Sequence, residues 1–357
     1  MTYDSPATYD SPARRFRLGC GILPPGPHNA ITDVPGVRVG HRTIRNGPIQ
    51  TGVTCILPHD GDLFRDRPLG AVHVFNGFGK SVGMMQVEEL GQIETPILLT
   101  NTFSVSAGAE ALIRDAIGRN PEIGRSLSTV NPLVFECNDG RINDIQALAV
   151  TPDDALQAIR DAQGGTVAQG GVGAGTGMTA FGFKGGIGTS SRHVAAGTHQ
   201  GILGVLVLAN FGMPGDLTLP DGRRIAPPAA PTLHDERERG SVIMVVATDL
   251  PLDYRQLRRV IRRAGIGIGR LGSFWGNGSG DIAVGFCPSV RFHLHETEGT
   301  ITRPMLNEGH IDILFRAVAE ATQEAVLNAL CAATPVAGRN GMVFPALSDV
   351  LAAHPRP

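Results

Sequence analysis

The chain has 357 residues, 42% of them hydrophobic and 18% charged, with a formal net charge of −2. That length and apolar content are enough to bury a large core and read as one compact body, and Lys and Arg are spread along the chain without interleaved aromatics, which argues against a nucleic-acid partner. No stretch reaches the ~20 apolar residues of a membrane span or forms a secretory signal run, and the five cysteines are odd in number with no Cys-x-x-Cys spacing, so no membrane partner and a cytoplasmic, reducing location are expected.

Residues 1–13 hold a direct repeat of Thr-Tyr-Asp-Ser-Pro-Ala, polar and turn-prone, and are expected to be a disordered tail. Short β-branched and aliphatic runs bounded by turn residues then predict strands at 37–40, 53–57, 71–75 and 96–100. In 105–118 Val105, Ala109, Leu112, Ile113 and Ile117 recur at helical spacing, and 153–162 reads as a second helix. Buried strands are predicted at 201–209, 241–247 and 282–286, and a strong amphipathic helix at 306–332, with Ile311, Leu314, Phe315, Val318, Ala321, Ala325, Val326 and Ala329 on one side. The 47 glycines and 25 prolines imply tight turns and short connections, as in layered sheets.

Residues 212–240 differ from their surroundings. Five prolines and the run His234-Asp235-Glu236-Arg237-Glu238-Arg239 predict an exposed loop, and an apolar strand follows at once. Gly240 and Ser241 therefore stand at the step from loop to buried strand. A serine hydroxyl is a weak nucleophile until a base takes its proton, and a free α-amine, with an ordinary pKa of about 7.7–8.0, is such a base. A cut before Ser241 would create both groups in one residue. Glycine at 240 is expected to supply backbone angles that let the hydroxyl approach the preceding carbonyl and drive an N-to-O acyl shift.

From about residue 15 to 350 the chain resembles the L-aminopeptidase D-esterase and β-peptidyl aminopeptidase family, self-processing serine-type N-terminal-nucleophile hydrolases. The matching segments are 29–41 (Asn-Ala-Ile-Thr-Asp-Val-Pro-Gly-Val-Arg-Val-Gly-His), 51–54 (Thr-Gly-Val-Thr), 184–192 (Lys-Gly-Gly-Ile-Gly-Thr-Ser-Ser-Arg), 207–212 (Val-Leu-Ala-Asn-Phe-Gly), Gly240-Ser241 and 278–281 (Gly-Ser-Gly-Asp). The resemblance implies an α+β fold, a four-layer α-β-β-α sandwich, with fragments 14–240 and 241–357 forming one structural domain after self-cleavage. It implies release of N-terminal amino acids, β-amino acids included, from short peptides, amides or esters through an acyl-enzyme, with no metal and no organic cofactor, in a homotetramer of processed heterodimers. Ser241 matches the nucleophile, Ser279 and Asp281 the hydroxyl and carboxylate that support it, and Asn210 the oxyanion donor. Aspartate at 281 is one methylene shorter than the glutamate common there. Glu136 matches a residue that meets the substrate's amine, and Asn138 replaces a Tyr or Trp at the substrate-binding site. An amidase for ω-amino acid oligomers, an N-acyltransferase and a non-enzymatic ligand-binding scaffold are the alternative readings.

Other signals carry less. The Gly-rich 171–177 lacks the Gly-Lys-Ser/Thr ending of a phosphate loop and reads as turn structure near the site. Lys184 reads equally as a buried ion-pair member or a catalytic group. His293 and His295 have the spacing of one strand face, a potential metal pair, but read as surface residues. Phe274 and Trp275 precede Ser279 closely enough to line a substrate pocket, and a core role competes.

Overall fold

The computed structural model describes residues 11–228, 240–339 and 341–354. In chain order the elements are β1 (Arg38–Asn46), β2 (Ile49–Leu57), β3 (Asp66–Gly77), α1 (Met84–Leu90), β4 (Ile97–Asn101), α2 (Val105–Arg119), β5 (Leu133–Cys137) and α3 (Pro152–Arg160). There follow the short β6 (Thr179–Ala180) and β7 (Phe183–Lys184), β8 (Gly186–Ala196), β9 (His199–Asn210), the short β10 (Leu217–Thr218) and β11 (Arg224–Ile225), and β12 (Ser241–Thr248). The chain ends with α4 (Tyr254–Ile261), α5 (Ala264–Arg270), β13 (Gly280–His293), α6 (Asp312–Ala332), β14 (Val336–Ala337), β15 (Val343–Phe344) and α7 (Leu347–Ala353).

Two mixed sheets stack face to face. One has the order β1-β2-β4-β5 and the other β3-β13-β12-β9-β8. Ile56, Ile97, Leu99 and Phe135 of the first sheet meet Leu206, Leu208, Ile243, Val245, Ile282 and Val284 of the second. On the second sheet's far face Val242, Met244 and Val246 alternate with those residues and pack on Leu257, Val260 and Ile261 of α4 and Leu314 and Val318 of α6. Helices α2 and α3 cover the far face of the first sheet through Leu112, Ala155, Ala158 and Ile159. This is the expected four-layer α-β-β-α sandwich. It explains why β12 reads as an unbroken apolar run: all eight of its residues are buried, because both of its faces lie against other layers.

Local sequence sets several boundaries. Thr151 and Asp154 form a reciprocal capping box with Pro152 in the first turn, and Asp253 with Gln256 does the same for α4. Helix α2 falls where predicted, and Val105 and Leu112 are buried as expected, but the buried face is completed by Gly108, Ala111 and Ala116 while Ile113 and Ile117 are exposed. Small side chains let the helix approach the sheet, since a β-carbon on Gly108 would lie 3.2 Å from Val134 Cγ1. The predicted helix 306–332 begins only at Asp312, after a 3-10 turn at Glu308–His310. It is buried nearly all round rather than on one side, because β8 and β9, α5 and the N-terminal segment pack against it.

Two other expectations need correction. The tail 1–13 was drawn too long: residues 1–10 lie outside the described residues, but Ser11 and Ala13 are buried, and Ala13 N donates to Asn328 Oδ1 at 2.9 Å. In the loop 212–240 the first half is packed, with Leu217 and Leu219 in the core beside the β10–β11 hairpin, and the charged run lies outside the described residues.

Candidate active site

Strands β12 and β13 run parallel and β9 antiparallel to β12, so the start of β12, the start of β13 and the end of β9 coincide. Ser241 is paired with Asn210 on one side and Gly280 on the other. Thus Gly-Ser at the loop-strand step, Asn at a strand end and Ser-Gly-Asp at a strand start, all far apart in sequence, meet at one edge of the second sheet.

With the 240–241 peptide bond in place, Ser241 Oγ donates to the Gly240 carbonyl oxygen at 2.6 Å. The Gly280 N–H lies 3.3 Å from that hydroxyl oxygen and 3.2 Å from the Gly240 oxygen, so one backbone donor serves both. Gly240 does not have a left-handed φ, which corrects the expected reason for a glycine there. The reason is space: a β-carbon would lie 2.7 Å from both Asn210 O and Phe211 Cα. Ser279 Oγ donates to Asp281 Oδ1 at 2.7 Å, with both residues fully buried. The turn before them is pinned by Asn76 Nδ2, which donates to the Gly276 and Ser279 carbonyls at 2.9 and 2.5 Å. The shorter Asp281 therefore still reaches its serine.

Asn210 is held by its own amide. Its Oδ1 accepts from Thr179 N at 3.0 Å and its Nδ2 donates to the Asn138 carbonyl at 3.0 Å, which fixes which end is the NH2 and leaves its second hydrogen for the cavity that Asn210 lines. Glu136, next to last in β5, is buried at 2% exposure and accepts from Lys80 N at 2.8 Å and from the Thr102 hydroxyl. Ser241, Asn210, Glu136 and Asn138 share a cavity of about 930 Å3, a volume suited to a small organic ligand. Cys137 ties the two sheets together beneath it: Sγ donates to the Ser241 carbonyl at 3.4 Å, and burial pushes its thiol well above the usual range, so it stays protonated.

Beside these groups lie buried ionisable side chains. Burial raises the Asp139 carboxyl to about 6 although Thr51 Oγ and Asn143 Nδ2 donate to it at 2.6 and 3.0 Å. Burial lowers Lys184 to about 7, and its Nζ donates to the carbonyls of Gly175, Met178 and Gly185 at 2.8–2.9 Å. Lys184 is thus neither half of an ion pair nor exposed to the cavity: it staples the 175–179 loop whose Thr179 N–H holds Asn210. The Gly-rich 171–177 forms that loop's 3-10 turn, as a structural reading requires.

Sequence reasoning missed Phe78, Lys80, Thr102, Thr179, Arg141 and Arg339 on the cavity wall. Phe78 and Lys80 follow β3 and Thr102 follows β4, positions only sheet stacking brings together, and no local motif marks them. Phe274 lines the cavity, whereas Trp275 stacks on Phe75 at 4.7 Å and packs against the helix layer. The two histidines do not share a strand face, because β13 ends at His293, whose Nδ1 lies 2.9 Å from Asp66 Oδ1, and His295 lies in the turn beyond.

Comparison with known proteins agrees with this geometry. The family model described as peptidase family S58 matches residues 29–344. A β-peptidyl aminopeptidase of Sphingosinicella xenopeptidilytica is 40% identical over 342 residues, which cover 88% of this chain and 84% of that one. The solved β-aminopeptidase of a Burkholderia species superposes with a TM-score of 0.85 at 38% identity, over 97% of this chain and 99% of the other. The L-aminopeptidase D-Ala-esterase/amidase of Ochrobactrum anthropi, a serine aminopeptidase described as a variant of the Ntn-hydrolase fold, gives 0.84 at 35% identity over 94% and 97%. Matches at this identity over nearly the whole length extend the likeness from architecture to lineage, and the chain belongs to peptidase family S58.

Proposed function

We propose that this protein is an aminopeptidase that cuts its own chain before Ser241 and then uses Ser241 as its catalytic nucleophile. The observation that carries the reading is the contact of Ser241 Oγ with the Gly240 carbonyl oxygen under a shared Gly280 N–H. In the cut, Oγ bonds to the Gly240 carbonyl carbon while the carbon–nitrogen bond to Ser241 breaks, giving an ester and a free amine. Water then hydrolyses the ester, leaving a carboxylate on Gly240. Because β12 lies between β9 and β13, the pieces 14–240 and 241–357 stay interleaved in one sheet after the cut.

In turnover the freed α-amine takes the Ser241 hydroxyl proton as Oγ attacks the substrate carbonyl. The Asn210 NH2 and the Gly280 N–H donate to the oxygen as it gains charge. The departing amine takes the proton from the Ser241 amine, and water releases the N-terminal residue from the acyl-enzyme. Ser279 and Asp281, bonded to each other on either side of Gly280, support Ser241 by fixing the Gly280 N–H that lies 3.3 Å from its hydroxyl oxygen. The Glu136 carboxylate receives the substrate's ammonium, so a free N-terminus is required, and the room around Asn138 and Phe274 admits α- or β-amino acid termini on short peptides, amides or esters.

Intact-mass measurement tests the reading. Wild-type protein is expected as two pieces meeting at 240/241, and Ser241→Ala as one uncut, inactive chain. A wild-type chain that hydrolyses peptides while uncut, or an active Ser241→Ala, overturns it.

A further inference from the structure

The cavity wall carries charges of both signs. Glu136 is the sole acidic side chain on its wall among the described residues, buried behind Ser241 with Lys80 N and the Thr102 hydroxyl on its oxygens. Three cationic residues line the same wall, and they are not equivalent. The Lys80 ammonium is turned onto the Phe78 ring, 3.9 Å from its centroid, and donates to the Phe78 carbonyl at 3.3 Å. Arg141 and Arg339 are exposed at the rim, and neither guanidinium is held by a carboxylate among the described residues. They are far apart in sequence, and one backbone bond, Arg339 N to Arg141 O at 3.3 Å, brings their backbones together.

Resting on the aminopeptidase reading, we infer that Arg141 and Arg339 form a subsite for the free C-terminal carboxylate of the substrate, which makes the preferred substrates very short peptides. The ammonium goes to the buried Glu136, the scissile carbonyl lies at Ser241 and Asn210, and the leaving residue ends at the two arginines, whose planar forks suit a carboxylate. Each residue spans about 3.3–3.6 Å when extended, so a di- or tripeptide is about 7–10 Å long, a size that the cavity of about 930 Å3 lined by both charges can hold. Longer chains carry their carboxylate past the rim, and amides lack it.

The test compares alanyl-alanine and β-alanyl-alanine with their C-terminal amides on the processed enzyme. At low salt the acids are expected to exceed the amides by about five- to tenfold in kcat/KM, mainly through KM, as two partly solvated ion pairs provide. In an Arg141→Gln/Arg339→Gln double variant the acid is expected to lose at least fivefold more than the amide, and 0.5 M salt to compress the wild-type ratio. Hydrolysis with an acid-to-amide ratio near one, or a ratio the double variant leaves unchanged, overturns the subsite alone. A variant slowed in self-cleavage with its ratio intact assigns the arginines to the self-cleavage step instead and also overturns it. Failure to hydrolyse any of the four peptides removes the aminopeptidase reading and the subsite with it.

Discussion

Gly240→Ala is expected to separate the proposed self-cleavage from turnover. The added β-carbon would lie 2.7 Å from Asn210 O and from Phe211 Cα and 3.2 Å from Phe211 Cβ. The first two are backbone atoms at the end of β9 and cannot rotate away. The φ at 240 is not left-handed, so the steric contact rather than a left-handed backbone is what alanine meets there. Overpacking of this kind costs about 1–3 kcal/mol. Its relief is expected to move the Gly240 carbonyl off the 2.6 Å contact with Ser241 Oγ and the 3.2 Å contact with Gly280 N, the contacts on which the proposed cut depends. If that cost falls on the transition state, cutting slows about 5- to 150-fold. The assay is a mass-spectrometric time course of freshly made precursor, with activity followed in the same samples. Activity is expected to rise in step with the cut fraction, since residue 240 leaves the reacting bond once it is cut. An alanine precursor processed at the wild-type rate would refute the argument that the close approach at 240 sets the cleavage geometry.

Asn210→Ala removes the proposed oxyanion donor and is expected to lower kcat about 10²–10³-fold with little change in KM; an unchanged kcat in correctly cut protein would assign that role elsewhere. Glu324→Gln strikes a buried charge cluster in which one carboxylate accepts from Arg14 Nε and Nη2, Cys20 N, Asn29 Nδ2 and Arg192 Nη2 at 2.6–3.2 Å. It is expected to destabilise by about 3–5 kcal/mol in urea unfolding, and a midpoint near wild type would contradict the cluster's anchoring role. Burial raises that carboxyl, but the bonds and charges of Arg14 and Arg192 outweigh it and hold it below its usual value of 4.5, so its contribution is present above about pH 4.5 and lost as pH falls through the lowered value. Lys184 has the opposite sense: between its folded value of about 7 and its ordinary 10.5 the unfolded chain binds the extra proton, so stability rises with pH. The stability of wild type minus that of Lys184→Met is expected to rise by about 1 kcal/mol per unit above pH 7, where the amine gives up its proton and one of its three donated bonds, and a pH-independent difference refutes the lowered folded value.

The sequence by itself determined the elements whose cause is local. The Thr-Pro-Asp-Asp start of α3 is capped by its own side chains, and the continuous apolar run of β12 already declared a strand covered on both faces. The Gly-Ser step, Asn210 and Ser279-Gly-Asp281 were legible as separate cues, and resemblance joined them. Tertiary structure decided what depends on distant partners. The buried face of α2 turns on Gly108 meeting Val134, which favours small residues over the isoleucines that periodicity selects. Glycine at 240 is required by the backbone of β9, thirty residues earlier, and no torsion preference reveals that. The cavity wall joins the end of β3, the end of β4, the end of β5 and the β14–β15 hairpin, because stacking two sheets sets their edges together irrespective of sequence separation. Chemistry held within a few residues was therefore readable along the chain, whereas the shape and charge of the cavity that chooses a substrate arose only when the layers packed.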